Sequence, residues 1–341
     1  MSFKIGFCCK WVSPTGDLKE EKRLNQVDVT LSRLLRLTES ERDSLLYEKV
    51  SHNASALIAM VEKVSGLPEP MRMFRITSDF LPCYGHSVTE NIYDRTHFKV
   101  LVQNTFSKVG ELAKKAGIRL VFHPDHFVRL NSDDHAITTR AISVIEHHAE
   151  LYRIMGMSSA WHSHGAAINI HLGGREGGIQ SFRDTFNKLS DEAKRLLTIE
   201  NDEFSFGLSD LMHIADLCPI VTDIYHEWVF TRGEYIKPDD KRITDVIIPS
   251  WRGVRPLGHF SQPKEGLWLH QSPDILPDFK SNITNAGISA IKARSHSYTC
   301  WNAEMNKWAE SHLSWMDLEI EAKGKNLAAH DFYKNLISTQ L

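Results

Sequence analysis

Leu196-Leu197-Thr198-Ile199-Glu200-Asn201-Asp202-Glu203 decides how this chain reads. Apolar residues of strand character run straight into a cluster of carboxylates. A carboxylate at the end of a buried strand must be offset by a partner or a metal, because desolvation penalises its charge. Five other short runs end in the same way. Arg119-Leu120-Val121-Phe122 ends at His123, Ala167-Ile168-Asn169-Ile170 at His171, and Pro219-Ile220-Val221-Thr222 at Asp223. Gly253 to Gly258, a poor strand by propensity, ends at His259, and Trp315 to Ile320 ends at Glu321. Phe3 to Cys8 and Met73-Phe74-Arg75-Ile76 bring the strand candidates to eight.

Helical spacing fills most of the intervals. It spans Glu39 to Val64 with Gly66 as a stop, Thr96 to Ala116 closed by Gly117, Ile137 to Met155 closed by Gly156, and Ile179 to Leu189. Ser209 is expected to cap a helix through Leu211, Met212 and Ala215. Short helices are expected at Ile243 to Ile247 and near Ala286 to Ala293. Lys10 to Gln26 reads as a loop, and Gln262 to Tyr298 as a long excursion. Eight strands alternating with helices predict an α/β fold, a (β/α)8 TIM barrel rather than a doubly wound sheet. No composition break divides the chain, so residues 1–325 read as one domain and 326–341 as a C-terminal tail with helical character.

At 341 residues and 42% hydrophobic content, such a barrel can build its core without disulfides or a structural metal. The five cysteines, with Cys8 and Cys9 adjacent and no CxxC pair, fit neither a disulfide framework nor a zinc knuckle. The apolar run at the N-terminus is too short for a signal peptide, and no stretch reaches membrane-spanning length. A soluble, cytoplasmic monomer with no membrane or protein partner is the expectation. A net charge of −3 does not announce a nucleic-acid binder, although buried anionic ligands can mask a basic surface within that total.

In a barrel of this type the chemistry sits where the strands end. The strand-end set is His123, His171, Glu200, Asp223, His259 and Glu321, with His226 three residues after Asp223 and His86 along the second loop. Mixed imidazole and carboxylate ligation suits Mn, Zn, Fe or Co. A catalytic zinc takes about three protein ligands, so this set implies two or three metals with a carboxylate shared between two. Such clusters serve phosphoryl chemistry by activating water and neutralising charge on the scissile phosphate. Metal-dependent sugar isomerisation on a barrel uses the same ligand types and stays open at this point. His147-His148 and His312 read as solvated helix faces.

The blocks Ile5-Gly6-Phe7, Phe74-Arg75-Ile76, His123-Pro124, His171-Leu172-Gly173-Gly174 and Glu200-Asn201-Asp202-Glu203 carry a more specific signal. They continue through Asp223-Ile224-Tyr225-His226, Trp251-Arg252-Gly253, His259-Phe260-Ser261-Gln262 and Glu321-Ala322-Lys323-Gly324-Lys325. In this order they resemble the UV damage endonucleases, relatives of endonuclease IV and the sugar isomerases of the same barrel superfamily. The resemblance implies a divalent-metal DNA repair endonuclease that nicks damaged double-stranded DNA 5′ to pyrimidine dimers and 6-4 photoproducts, and often at abasic sites.

By the same resemblance, His123, His171 and Glu200 would hold one metal. Glu200, Asp223, His259 and Glu321 would hold a second, and His226 and His296 would serve a third. His86 would sit beside the scissile phosphate, with Lys323 and Arg252 as phosphate contacts. Manganese is the foremost metal, with Zn, Co and Mg as alternatives. Two departures from the family pattern stand out. A lysine, chemically modified in the family, precedes the His259 equivalent by two residues, and here that position is Leu257. The family's Gly-Gln-Tyr after His-Pro, whose last two residues probe the bases, is here Asp125-His126-Phe127. Phe127 can still wedge between bases and His126 can hydrogen-bond. Phe7 stands where the family carries a tyrosine and is likewise expected against DNA. A non-catalytic barrel that binds damaged DNA is the remaining alternative, and the full ligand set argues against it.

Overall fold

Alternate side chains of a strand face opposite ways, and each short strand of this chain uses both directions. The computed structural model describes residues 3–267 and 272–339. It contains β1 (Ile5–Cys8), β2 (Met73–Ile76), β3 (Arg119–Phe122), β4 (Ala167–His171), β5 (Leu197–Glu200), β6 (Ile220–Asp223), β7 (Leu257–Phe260) and β8 (Asp317–Ile320). All pair in parallel in chain order, and β8 pairs with β1, so the sheet closes into an eight-stranded barrel. Outward side chains such as Ile5, Phe7, Phe74, Phe122, Ile170, Ile199 and Ile320 are buried in the core shared with the helices.

Inward side chains form layers. At the N-terminal end, Arg119 Nη1 donates to Asp317 Oδ2 at 2.8 Å and Arg255 Nε donates to Asp317 Oδ1 at 2.8 Å. Next comes an apolar layer of Met73, Val121, Ala167, Val221 and Leu257 with Trp251. Two residues further along β7 and β8 the lining becomes polar, with His259 opposite Glu319. The barrel is therefore plugged from below and polar above.

The helices start and stop for local reasons. Glu39–Ser65 opens with a capping box between Thr38 and Glu41, and buries Leu46, Val50, Ala54, Leu57, Val61 and Val64 at helical spacing. Thr96–Ala116 and His135–Met155 end at Gly117 and Gly156, whose φ of 64° and 67° suit glycine. The helix Asn326–Thr339 packs on β1 and β8; residues 340–341 lie outside the described part.

Several local expectations need correction. The expected loop Lys10 to Gln26 contains the helix Leu18–Leu24, capped by Asp17. Leu196 closes the helix Asp191–Leu196, so the strand that opens the sequence argument begins at Leu197. Gly207, not Ser209, takes the N-cap position of Leu208–Leu211. The seventh strand lies at Leu257–Phe260, because Trp251 to Gly253 turns, with Arg252 and Gly253 at φ of 52° and 87°. The helix Ile224–Phe230 starts directly from Asp223, with no loop between. The excursion contains a π-helical turn at Lys280–Thr284 and the helix Ala290–Ala293, while its residues 268–271 lie outside the described part.

The histidines read as solvated faces are packed. His148 and His312 are buried, and the half-buried His147 stacks on Tyr84 at 3.8 Å between ring centroids. Burial pushes His148 and His312 down to about 4. Among the described residues no helix is long and apolar enough to cross a membrane.

Candidate metal centre

Each strand end delivers its side chain to one place. Glu200, the last residue of β5, is fully buried, yet it is a carboxylate ringed by imidazoles. Its Oε2 lies 3.0 Å from His123 Nε2 and 4.0 Å from His171 Nε2. Its Oε1 lies 2.9 Å from His259 Nδ1 and 3.3 Å from His226 Nδ1. Asn169, on β4, donates from Nδ2 to Oε2 at 2.5 Å and fixes the carboxylate plane. Burial alone would raise the Glu200 carboxyl, but the imidazoles of His259, His171, His123 and His226 hold it well below the usual range.

The donor atoms sort into groups. Those of His123, His171 and Glu200 lie within 4.8 Å of one another, as do those of Glu200, Asp223 and His259. A third group joins His226, His296 and Glu321. Glu321, expected with the second set, thus falls with the third, although its Oε1 stays 3.4 Å from His259 Nδ1. A fourth, unexpected group of the same compactness is Cys8, Glu319 and Glu321.

The electrostatics show what this donor set lacks. Burial raises the Asp223 carboxyl, and Asp223 Oδ2 has no hydrogen-bond partner. Burial pushes His171 down to about 4 and leaves its Nδ1 unpartnered. Burial opposes a charge on His259, yet Glu200 and Glu321 hold it up at about 10. Burial works the same way on His226, and Asp223 and Glu203 hold it well above the usual imidazole range. Four buried or half-buried carboxylates, Glu200, Asp223, Glu319 and Glu321, face one another with protons on histidines and the Arg75 guanidinium as the compensating charge. Orphaned donors and an excess of carboxylate fit divalent cations, which would release those protons on binding.

The remaining expected residues divide. His126 and Phe127 sit in the loop after β3 with rings 4.1 Å apart, and Phe127 is 70% exposed. Lys323 is exposed in the loop after β8, its backbone N–H bonded to Ser297. His86 is half-buried in the loop after β2, where its Nδ1 accepts from Val88 N at 3.3 Å. Its hydrogen bonds are local and none reaches the cluster.

Two expectations are wrong. Phe7 is fully buried on the outer side of β1, with its ring 5.2 Å from Phe74 and 5.9 Å from Trp11, so it cannot touch DNA. Arg252 precedes β7 at the opposite end of the barrel, where its guanidinium stacks 3.7 Å from the Trp161 ring and donates to the Asp216 carbonyl at 3.2 Å. Leu257, at the family's lysine position, belongs to the apolar layer beneath the cluster.

Further residues complete the site. Arg75 donates from Nε to Glu319 Oε2 at 2.8 Å, also binds Glu321, and has Nη2 3.1 Å from His259 Nε2. Asn201 clamps Asp223 through both backbone groups, each at 2.9 Å, and its carbonyl lies 3.1 Å from His226 Nδ1. Glu203 Oε1 is 3.5 Å from His226 Nε2. One signal was available: a residue two positions before a strand-end ligand shares its inward face. That rule finds Asn169 from His171 and Glu319 from Glu321.

Comparison with known proteins gives this arrangement a context. The family model for UV-endonuclease UvdE matches residues 3–340. A putative UV-damage endonuclease of Acanthamoeba polyphaga mimivirus is 29% identical over 255 residues, covering 72% of this chain and 74% of that protein. The UV DNA damage endonuclease of Bacillus velezensis is 28% identical over 292 residues, covering 81% of this chain and 82% of the relative. The crystal structure of SacUVDE superposes with a TM-score of 0.73 at 21% identity, over 99% of both chains, which shows the shared fold. Matched along almost its whole length, the chain belongs to the UV-endonuclease UvdE family.

Proposed function

We propose that this DNA repair endonuclease nicks duplex DNA on the 5′ side of pyrimidine dimers and 6-4 photoproducts, and also at abasic sites. Two or three divalent cations at the barrel mouth would serve it, manganese foremost, because the three main donor groups combine carboxylates with imidazoles and contain no sulfur. The observation that carries this reading is the fully buried Glu200 carboxylate within reach of four imidazoles. One carboxylate so placed can serve two cations at once.

Divalent cations held there supply activation of water and neutralisation of charge on the scissile phosphate. The chain's own residues do the rest. His123, His171 and Glu200 would hold one cation, Glu200, Asp223 and His259 a second, and His226, His296 and Glu321 a third. Asn169 and Asn201 fix the planes and rings of these ligands, and Arg75 keeps Glu321 and Glu319 ionised. Lys323 and His86, both on mouth loops, would meet the phosphate backbone. Phe127 would enter the base stack beside the lesion, with His126 reading a base edge.

Metal analysis joined to an incision assay tests the reading. Purified enzyme should hold two or three divalent ions per chain and nick UV-irradiated and abasic duplexes, and chelation should stop both reactions. Glu200→Gln should lose nicking by several orders of magnitude and bind fewer ions. Metal-dependent cleavage of irradiated duplex at the wild-type rate by Glu200→Gln would sink the assignment.

A further inference from the structure

A second pocket opens beside the metal centre, beyond Glu203. It encloses about 570 Å³, within the range of small-ligand pockets. Glu203 lines it while its carboxylate lies 3.5 Å from His226 Nε2, so the pocket and the third donor group share a wall.

Its lining is not that of a packing gap. Phe204 presents a ring that is 40% exposed, and the Arg294 guanidinium stands 5.5 Å from the ring centroid. Phe204, Arg175 and Arg232 line the pocket, against an apolar wall that includes Phe230. Arg175 donates to the carbonyls of Ser205 at 3.0 Å and Phe204 at 3.4 Å, which ties the loops after β4 and β5 together. Some arginines of this chain are neutralised by a neighbouring carboxylate, as Arg183 is by Asp216 and Arg153 by Glu150. Arg175, Arg232 and Arg294 form no ion pair among the described residues. The carboxylate that is present, Glu203, is turned toward His226.

Two guanidinium groups that line the pocket, and a third beside its aromatic ring, match a nucleotide: the phosphates by charge and the base by its π-face. We infer that this pocket binds one unstacked nucleotide of the DNA strand that leaves the metal centre. The base lies against Phe204, and Arg175, Arg232 and Arg294 hold the flanking phosphates. The inference rests on the endonuclease reading above and adds a subsite to it.

The test compares Phe204→Ala, Phe204→Trp and the double variant Arg232→Gln/Arg294→Gln in metal-loaded enzyme. These side chains are exposed, so folding should survive, and unchanged melting temperatures would document it. Binding is read by fluorescence anisotropy on a lesion duplex with a nuclease-resistant phosphorothioate at the scissile position. Stacking of one base contributes about 1–3 kcal/mol, so Phe204→Ala should weaken binding roughly 5- to 150-fold, and Phe204→Trp should restore it. The double arginine variant should lower the slope of log affinity against log salt by about 1.4–1.8, for two phosphates lost. Wild-type affinity and salt slope in all variants would overturn the inference. So would Phe204-dependent binding of a free deoxynucleoside 5′-monophosphate with no change toward the duplex. Failure of the wild type to nick any damaged duplex would strike the endonuclease reading instead, and the binding slopes would still report on the pocket.

Discussion

Phe7 and Phe127 are the same residue type and were both expected against DNA, but their surroundings give them opposite work. Phe127 is 70% exposed on a mouth loop, and Phe7 is fully enclosed between β1 and its covering residues. Phe127→Ala should weaken binding to a lesion duplex by roughly 5- to 150-fold, the range for one aromatic–base contact, with melting temperature and metal content unchanged. Phe7→Ala should cost about 3–5 kcal/mol of stability as a large-to-small change in a packed core. The folded fraction of that variant should bind lesion DNA as the wild type does. Anisotropy and urea unfolding on both variants give the comparison, and wild-type affinity in Phe127→Ala would remove the wedge role.

Among the elements, the pair Thr96–Ala116 and His135–Met155 shows how closely the outer ring is packed. Gly110 sits where the first helix meets the end of the second, and a Cβ there would fall onto the Met155 backbone. Alanine gains roughly 1 kcal/mol in intrinsic helix propensity over glycine. Here the helices would have to separate, so Gly110→Ala should instead be destabilising, by about 1–3 kcal/mol. A higher urea midpoint for that variant would show that the helices do not meet there. The strands teach a complementary lesson about legibility. Strand ends were readable because apolar runs stop at polar ligands; Asn169 and Glu319 were missed, although the same alternation turns them inward. Arg75 was not readable as a site residue, because a charged side chain in a short buried strand finds its partners only across the closed barrel, on β7 and β8.

For the molecule as a whole, the buried histidines outside the metal centre set a response to acid. Burial lowers His148 and His312 to about 4 and His162 to about 3. An unfolded chain takes up these protons near pH 6.5, whereas the folded one does not until well below. The folded state therefore binds fewer protons in this window, and stability falls as the pH drops from about 6.5 toward 4. His312 is an example: burial takes its imidazole out of water and outweighs the Ile236 carbonyl 3.0 Å from its Nε2, while its Nδ1 accepts from Trp315 Nε1 at 3.1 Å. A proton on Nδ1 would break the bond from Trp315. Urea midpoints of chelated protein should fall across this range, and His148→Leu should flatten the fall. Midpoints independent of pH between 6.5 and 4 would mean that these histidines are charged inside the fold.

What the sequence by itself determined is the periodic part of the protein: eight short strands, the helices between them, the glycine stops and the ligand types at the strand ends. Those follow from local chemistry, since apolar alternation, caps and left-handed glycines act over a few residues. Only the tertiary structure decided which side chains share a layer and which end of the barrel each loop occupies. Arg252 lay in a matching block, yet closure of the sheet puts it at the plugged end with Trp161. Phe7 lay in another matching block and was expected against DNA, yet the pleat turns it outward. Leu257 shares the inward face of His259 but sits one layer deeper. Position along a chain carries no direction in space, and in a closed barrel a shift of one residue or one end exchanges solvent, core and site.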